Sequence, residues 1–210
     1  MRSSFHTQTC RLSTFRVVLA SLMLPLLAVA HPGHSPAGGA GYSAAPALAA
    51  GLEHPISGVD HLLAALAVGW VCAALGLRRA ITGAAVFLGA LILGGLAGHA
   101  GYVVPGLEAA LGISVLALGL LVVSGRQLAI SRLLPAIVLV ALVHGAAHGS
   151  EGPQGAAAGQ FALGFILSTA VLVALGSGLR VLASRSVKLR RLAGAGLTAA
   201  GALFLWQAAS

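Results

Sequence analysis

From residue 55 to the C-terminus the chain alternates long apolar runs with short breaks. Six runs stand out, at approximately residues 56–75, 81–100, 107–124, 133–149, 158–182 and 189–208. Each comes close to the ~20 residues that a helix needs to cross a bilayer. The breaks "GLRR", "GYVVPG" and "GSEGPQG" carry the glycines and prolines that end helices. The pattern predicts an all-α fold, a polytopic membrane bundle of six transmembrane helices. Pairs such as Gly94 with Gly98 and Gly155 with Gly159 have the small-xxx-small spacing that lets membrane helices approach closely.

The first thirty residues read differently. Arg2, Arg11 and Arg16 form a basic start, "VVLASLMLPLL" an apolar core, and Ala28 to Ala30 an A-x-A site. That is the pattern of a cleaved signal peptide, and cleavage makes His31 the first residue of the mature chain. The expected organisation is a leader at 1–30, an external segment rich in His, Gly and Ala at 31–54, and a six-helix membrane domain at 55–210. Losing the leader removes Cys10 and leaves Cys72 alone. An internal disulfide and a thiolate metal cluster are both excluded.

Composition agrees with the pattern. Of 210 residues 58% are apolar and only 8% charged, and the mean hydropathy is +0.98. A formal charge of +8 would point to nucleic acid in a soluble protein, so the placement of the charges has to decide. After the leader, every basic residue lies in, or within three residues of, the breaks that follow the first, third and fifth runs: Arg78 and Arg79; Arg126 and Arg132; Arg180, Arg185, Lys188, Arg190 and Arg191. Alternate breaks share one side of a membrane, and the positive-inside bias makes that side cytoplasmic. The mature N- and C-termini then lie outside, and nucleic acid is not a partner. Glu53, Asp60, Glu108 and Glu151 all fall on the external side, where they would gather cations.

The histidines gather there too. His144 and His148 are four residues apart, so on a helix they share a face one turn apart. His54 and Pro55 read as a helix start, since proline suits the first turn. On a straight helix His61 then lies roughly 9 Å below the helix start, on nearly the same face as His54. Side chains of the first, second and fourth runs, including His99, are expected to meet at one depth. Ionisable groups inside a span are expensive and mark ion pathways, which singles out Asp60, His61 and His144. Glu108 also suits a helix N-terminus. Imidazole and carboxylate without thiolate suit divalent nickel, cobalt or zinc.

Two motifs carry a resemblance. "HPISGVDH" (His54 to His61) and "VHGAAHGSE" (Val143 to Glu151) resemble the H-x5-D-H and F-H-G-x-A-H-G-x-E signatures of the HupE/UreJ family of nickel/cobalt permeases. Val143 stands where that family commonly has phenylalanine. The resemblance implies an inner-membrane bacterial permease that takes up nickel or cobalt, with nickel typically supplying hydrogenase or urease. It implies no permanently bound cofactor, and His54, Asp60, His61, His144, His148 and Glu151 as the residues that handle the metal. His31 and His34 are candidates for an external capture site, with His99 and Glu108 as further candidates.

Other readings fare worse. A zinc protease of the H-E-x-x-H type needs glutamate after the first histidine, and Gly145 sits there, so no enzyme is expected. A haem-binding electron carrier with His99 and His144 as axial ligands leaves the clustered acidic residues without a role. A membrane subunit of a multi-component importer is the main alternative: the chain has no nucleotide-binding G-x-x-x-x-G-K-[ST] loop of its own, a partner chain could carry one, and it is the resemblance more than this absence that favours a stand-alone permease. Oligomeric state is not legible. For the inner half of a pathway the polar candidates are Gln160, Ser168 and Thr169, which hydrogen bonding between helices explains equally well.

Overall fold

The computed structural model describes residues 44–210. They form seven α-helices and a short 3-10 turn, with no strand among the described residues. The helices are α1 (Ala44–Ser57), α2 (Val59–Ala73), α3 (Leu77–His99), α4 (Leu107–Ser124), α5 (Ile130–Glu151), α6 (Ala158–Leu182) and α7 (Val187–Ala209). α3 to α7 are each long and apolar enough to cross a membrane, and α1 with α2 make a sixth crossing if the bent pair counts as one span. The expected leader, His31 and His34 lie outside the described residues.

α4 and α6 coincide with the third and fifth apolar runs, α5 and α7 overrun theirs by a few residues, and α3 starts four residues before its run and ends one short of it. The first run departs from expectation. It is shared between two helices that meet at Gly58 with a bend of 77°. Pro55 does not open a helix; it lies in the last turn of α1, which begins at Ala44. Proline removes one helical donor and crowds the carbonyl four residues back, so a helix ends readily just beyond it. Ser57 Oγ donates to the carbonyl of His54 at 2.9 Å, which also accepts from the Gly58 N–H at 3.1 Å. Gly58 turns extended, at φ −81° and ψ 101°, and α2 starts afresh at Val59.

Between helices surrounded by lipid there is no hydrophobic drive, so close backbone approach and packing do the work. Glycines build the seams. On α3, Gly94 and Gly98 lie against the backbone of Leu142 and Ala146 of α5, while Gly145 and Gly149 of α5 lie against Leu91 and Gly95 of α3. Along a second seam Gly112 and Gly119 of α4 lie against Leu205 and Thr198 of α7, while Gly194 and Gly201 of α7 lie against Val123 and Leu116 of α4. α6 backs both halves of the bent pair: its Gly164 meets Leu48 of α1 and its Gly176 meets Leu66 of α2. The pair Gly155 and Gly159 makes no seam, contrary to expectation. Gly155 takes φ 74° in the 3-10 turn, and a methyl on either residue would enter open space.

Val68, Phe87, Val115 and Ile137 are wholly buried at the centre, whereas Leu93, Leu139, Leu163 and Val171 turn outward, as helices immersed in lipid require. Cys72 is a free, buried thiol set against Gly83 of α3. The end of α5 and the start of α2 lie at one end of the bundle, and the basic breaks lie at the other. There Arg190 Nη1 donates to the Val123 carbonyl at 2.9 Å, a cation at the C-terminus of α4 where the helix dipole favours one.

Candidate metal centre

Four imidazoles form a continuous file at the junction of α1, α2 and α5. His54, in the last turn of α1, and His61, in the first turn of α2, approach the His148 ring with centroids at 4.8 Å each and nearly perpendicular planes. His144, one turn deeper on α5, lies 5.6 Å from His61. The bend at Gly58 makes this possible. On a straight helix His54 and His61 would be separated along the axis by about 10 Å; folded about the break, they flank one ring. The glycines of "HGAAHG" account for the other side of α5: Gly145 and Gly149 face α3, which leaves His144 and His148, one position back, turned to the interior.

The file contains two three-residue groups with metal-ligand geometry. His61, His144 and His148 are all buried, and one ligand atom from each lies within 4.8 Å of the others. His54, His148 and Glu151 form the second group by the same measure. In it, His54 Nε2 and His148 Nδ1 are 2.9 Å apart, and Glu151 Oε2 is 3.2 Å from each of these nitrogens. Exposure falls along the file. The side chains of Glu151 and His54 are 35% and 28% exposed and that of His148 7%, while His61 and His144 are fully buried.

The buried rings are held from behind. Ser114 Oγ donates to the Leu111 carbonyl at 2.7 Å, and a hydroxyl has only one hydrogen to give. Its 2.9 Å contact with His144 Nε2 must therefore be a bond that the imidazole donates. Nδ1 of His144 is then the lone-pair nitrogen. On the opposite side Thr169 Oγ1 holds His61 Nε2 at 3.0 Å, and Glu151 accepts from His148 Nδ1. The remaining nitrogens, His61 Nδ1, His144 Nδ1 and His148 Nε2, are buried and have no partner among the described residues. One nitrogen anchored and the other free is how a protein orients imidazoles toward a metal.

Phe165 covers the file, with its centroid 4.8 Å from His61 and 5.1 Å from His148. An apolar cavity of about 200 Å³ opens beside it between α3, α5 and α6, with His148 and His99 in its lining. His99 faces this cavity and meets Gln154 at 3.4 Å; it joins neither group. Asp60 also stays outside both. It is half-buried in the first turn of α2, where a carboxylate suits the helix N-terminus. Glu108 is exposed in the first turn of α4, the same favourable setting. Of the polar candidates on α6, Thr169 reaches the file, and Gln160 keeps a buried oxygen without a partner among the described residues. Ser114 and Phe165 carried no signal in the sequence, being a lone small polar residue and one aromatic in apolar helices.

The profile of the family described as HupE / UreJ protein matches residues 19–204. The chain belongs to the HupE/UreJ family. It is 36% identical over 197 residues to Protein HupE of Rhizobium leguminosarum bv. viciae, an alignment that takes in 92% of this chain and 97% of that protein. No solved structure matches it. Within this HupE/UreJ chain, both motif stretches converge on one place: "HPISGVDH" spans the break between α1 and α2, and "VHGAAHGSE" forms the last turns of α5.

Proposed function

We propose that the protein is an inner-membrane permease that takes up divalent nickel or cobalt through the histidine file. The observation that carries this is the group His61, His144 and His148: three buried imidazoles, each with a nitrogen left unpartnered among the described residues. Unsatisfied buried polar atoms cost about 1–3 kcal/mol each, and a borderline divalent cation is the ligand that repays three neutral imidazoles at once. The carboxylate of Glu151 and the partly open His54 supply a first stop for a hydrated cation on its way in. The basic breaks at the other end favour placing the histidine end outside.

No nucleotide is needed for such uptake. A divalent cation moving inward gains about 4.6 kcal/mol per 100 mV, at about 2.3 kcal/mol per charge, which sustains accumulation on the order of a thousandfold. The purified protein in sealed liposomes is expected to pass nickel or cobalt without ATP, faster under an inside-negative potassium diffusion potential. Equal uptake by empty and protein-loaded liposomes would reject stand-alone permeation and favour the importer-subunit reading. In cells, comparing accumulation of nickel, cobalt, zinc and manganese identifies the cargo.

A further inference from the structure

We propose that His148 serves the two three-residue groups in turn, so that they hold one divalent ion between them and hand it inward. This rests on the metal reading above and adds to it a stoichiometry and an order of events. A neutral imidazole has one lone-pair nitrogen and one N–H. The outer group meets His148 at Nδ1, 2.9 Å from His54 Nε2 and 3.2 Å from Glu151 Oε2. The other nitrogen, Nε2, is buried without a partner among the described residues and is left for His61 and His144. One ring thus presents a different nitrogen to each site.

The consequence is exclusion. With the ion at the outer group, Nδ1 ligates and the ring proton sits on Nε2. With the ion at the inner group, Nε2 ligates and the proton sits on Nδ1, where the Glu151 carboxylate accepts it in the 3.2 Å contact already present. The Nε2 proton leaves to a water carried in with the hydrated ion and Nδ1 takes one from the same water, so the ring neither gains nor loses a proton overall. Filling both groups at once would require an imidazolate, stripped of its second proton, with two divalent charges facing each other across one ring in an interior that screens them poorly. The fall in exposure from Glu151 and His54, through His148, to His61 and His144 gives the hand-off its direction. The vacated Glu151 regains its bond to His148, which compensates the loss of the ion. A site that conducts must release what it captures, and a shared ligand does this by making the two sites compete.

Cobalt(II) titration of the purified full-length protein in detergent tests this, with bound metal measured by equilibrium dialysis and the ligand field followed by visible absorption. His31→Ala and His34→Ala are present throughout, so that tail histidines do not add to the count. The parent is expected to saturate at about one ion per chain, as one shared neutral ring demands. Glu151→Gln, which leaves the three-imidazole group, and His61→Ala, which leaves the group with a carboxylate, are each expected to bind about one ion with different visible spectra. Combining the two abolishes binding. Two ions per chain in the parent would overturn the hand-off and leave the metal reading standing. Loss of all binding in either single variant would overturn it too, because the groups would then be one composite site. A parent that binds no cobalt would overturn both readings. The parent stoichiometry decides the main point without relying on any variant of the file to fold.

Discussion

At the scale of single residues, the centre depends on side chains that aim others. Ser114 spends its one hydrogen on Leu111 and so accepts from His144; removing the hydroxyl frees the ring to rotate or to change tautomer. Ser114→Ala is expected to weaken cobalt binding roughly 10- to 100-fold, the usual cost of losing an orienting partner. Ser114→Thr, which keeps an oxygen at the same carbon, should recover most of it; equal losses in the two variants would show that Ser114 acts through packing alone. The ligands themselves are less forgiving. His61→Ala and His144→Ala are each expected to abolish metal uptake while the protein still reaches the membrane, and normal uptake in both would reject the inner group.

At the scale of elements, position is set by seams and by one break. Gly145 faces the Leu91 carbonyl of α3, with no room for a methyl, whereas Gly159 faces open space. Gly145→Ala is expected to destabilise the fold by about 1–3 kcal/mol, the range for overpacking, seen as a lower melting temperature. Gly159→Ala should leave that temperature unchanged or raise it slightly, since alanine also favours helix. The break works differently, because Gly58 has room for a methyl, with nothing nearer than 3.4 Å. Its role, with Pro55, is to stop one helix and start another. Replacing Pro55 and Gly58 together by alanine favours a continuous helix, which carries His54 away from His148. The expected readout is loss of the carboxylate-containing cobalt site in the His61→Ala background, with the three-imidazole site of the Glu151→Gln background less affected.

At the scale of the whole molecule, charge is sorted by end. The histidine file and Glu151 lie where α5 ends, and Arg126, Arg180 and Arg190 line a small recess at the opposite end of the bundle. The positive-inside bias favours a cytoplasmic arginine end, the orientation proposed above. A cysteine placed at the exposed Ala156 is therefore expected to react in intact cells with a membrane-impermeant thiol reagent. One placed at the exposed Ser184 should react only after lysis. The buried Cys72 does not compete for the reagent. The reverse pattern would turn the proposed mouth of the pathway into its exit.

Much of this architecture is determined by the sequence alone, because in lipid every backbone group must be satisfied within its own segment. An apolar run of spanning length has little choice but to be a helix, which is why 107–124 and 158–182 match their helices end for end. The rarity of ionisable groups in such runs marked His61 and His144, and spacing placed His144 and His148 on one face. The break at Gly58 was not legible, since a proline beside a histidine marks a helix boundary without saying on which side the helix lies. Nor did spacing tell that Asp60 falls outside both three-residue groups while Ser114, far away in the chain, holds His144. A ligand set depends on how each helix is rotated about its axis and how α1 leaves α2. Contacts between distant segments decide both: the Gly145 seam with α3, and α6 lying along both halves of the bent pair. Local pattern carries the period of a helix, and only tertiary packing carries its rotation.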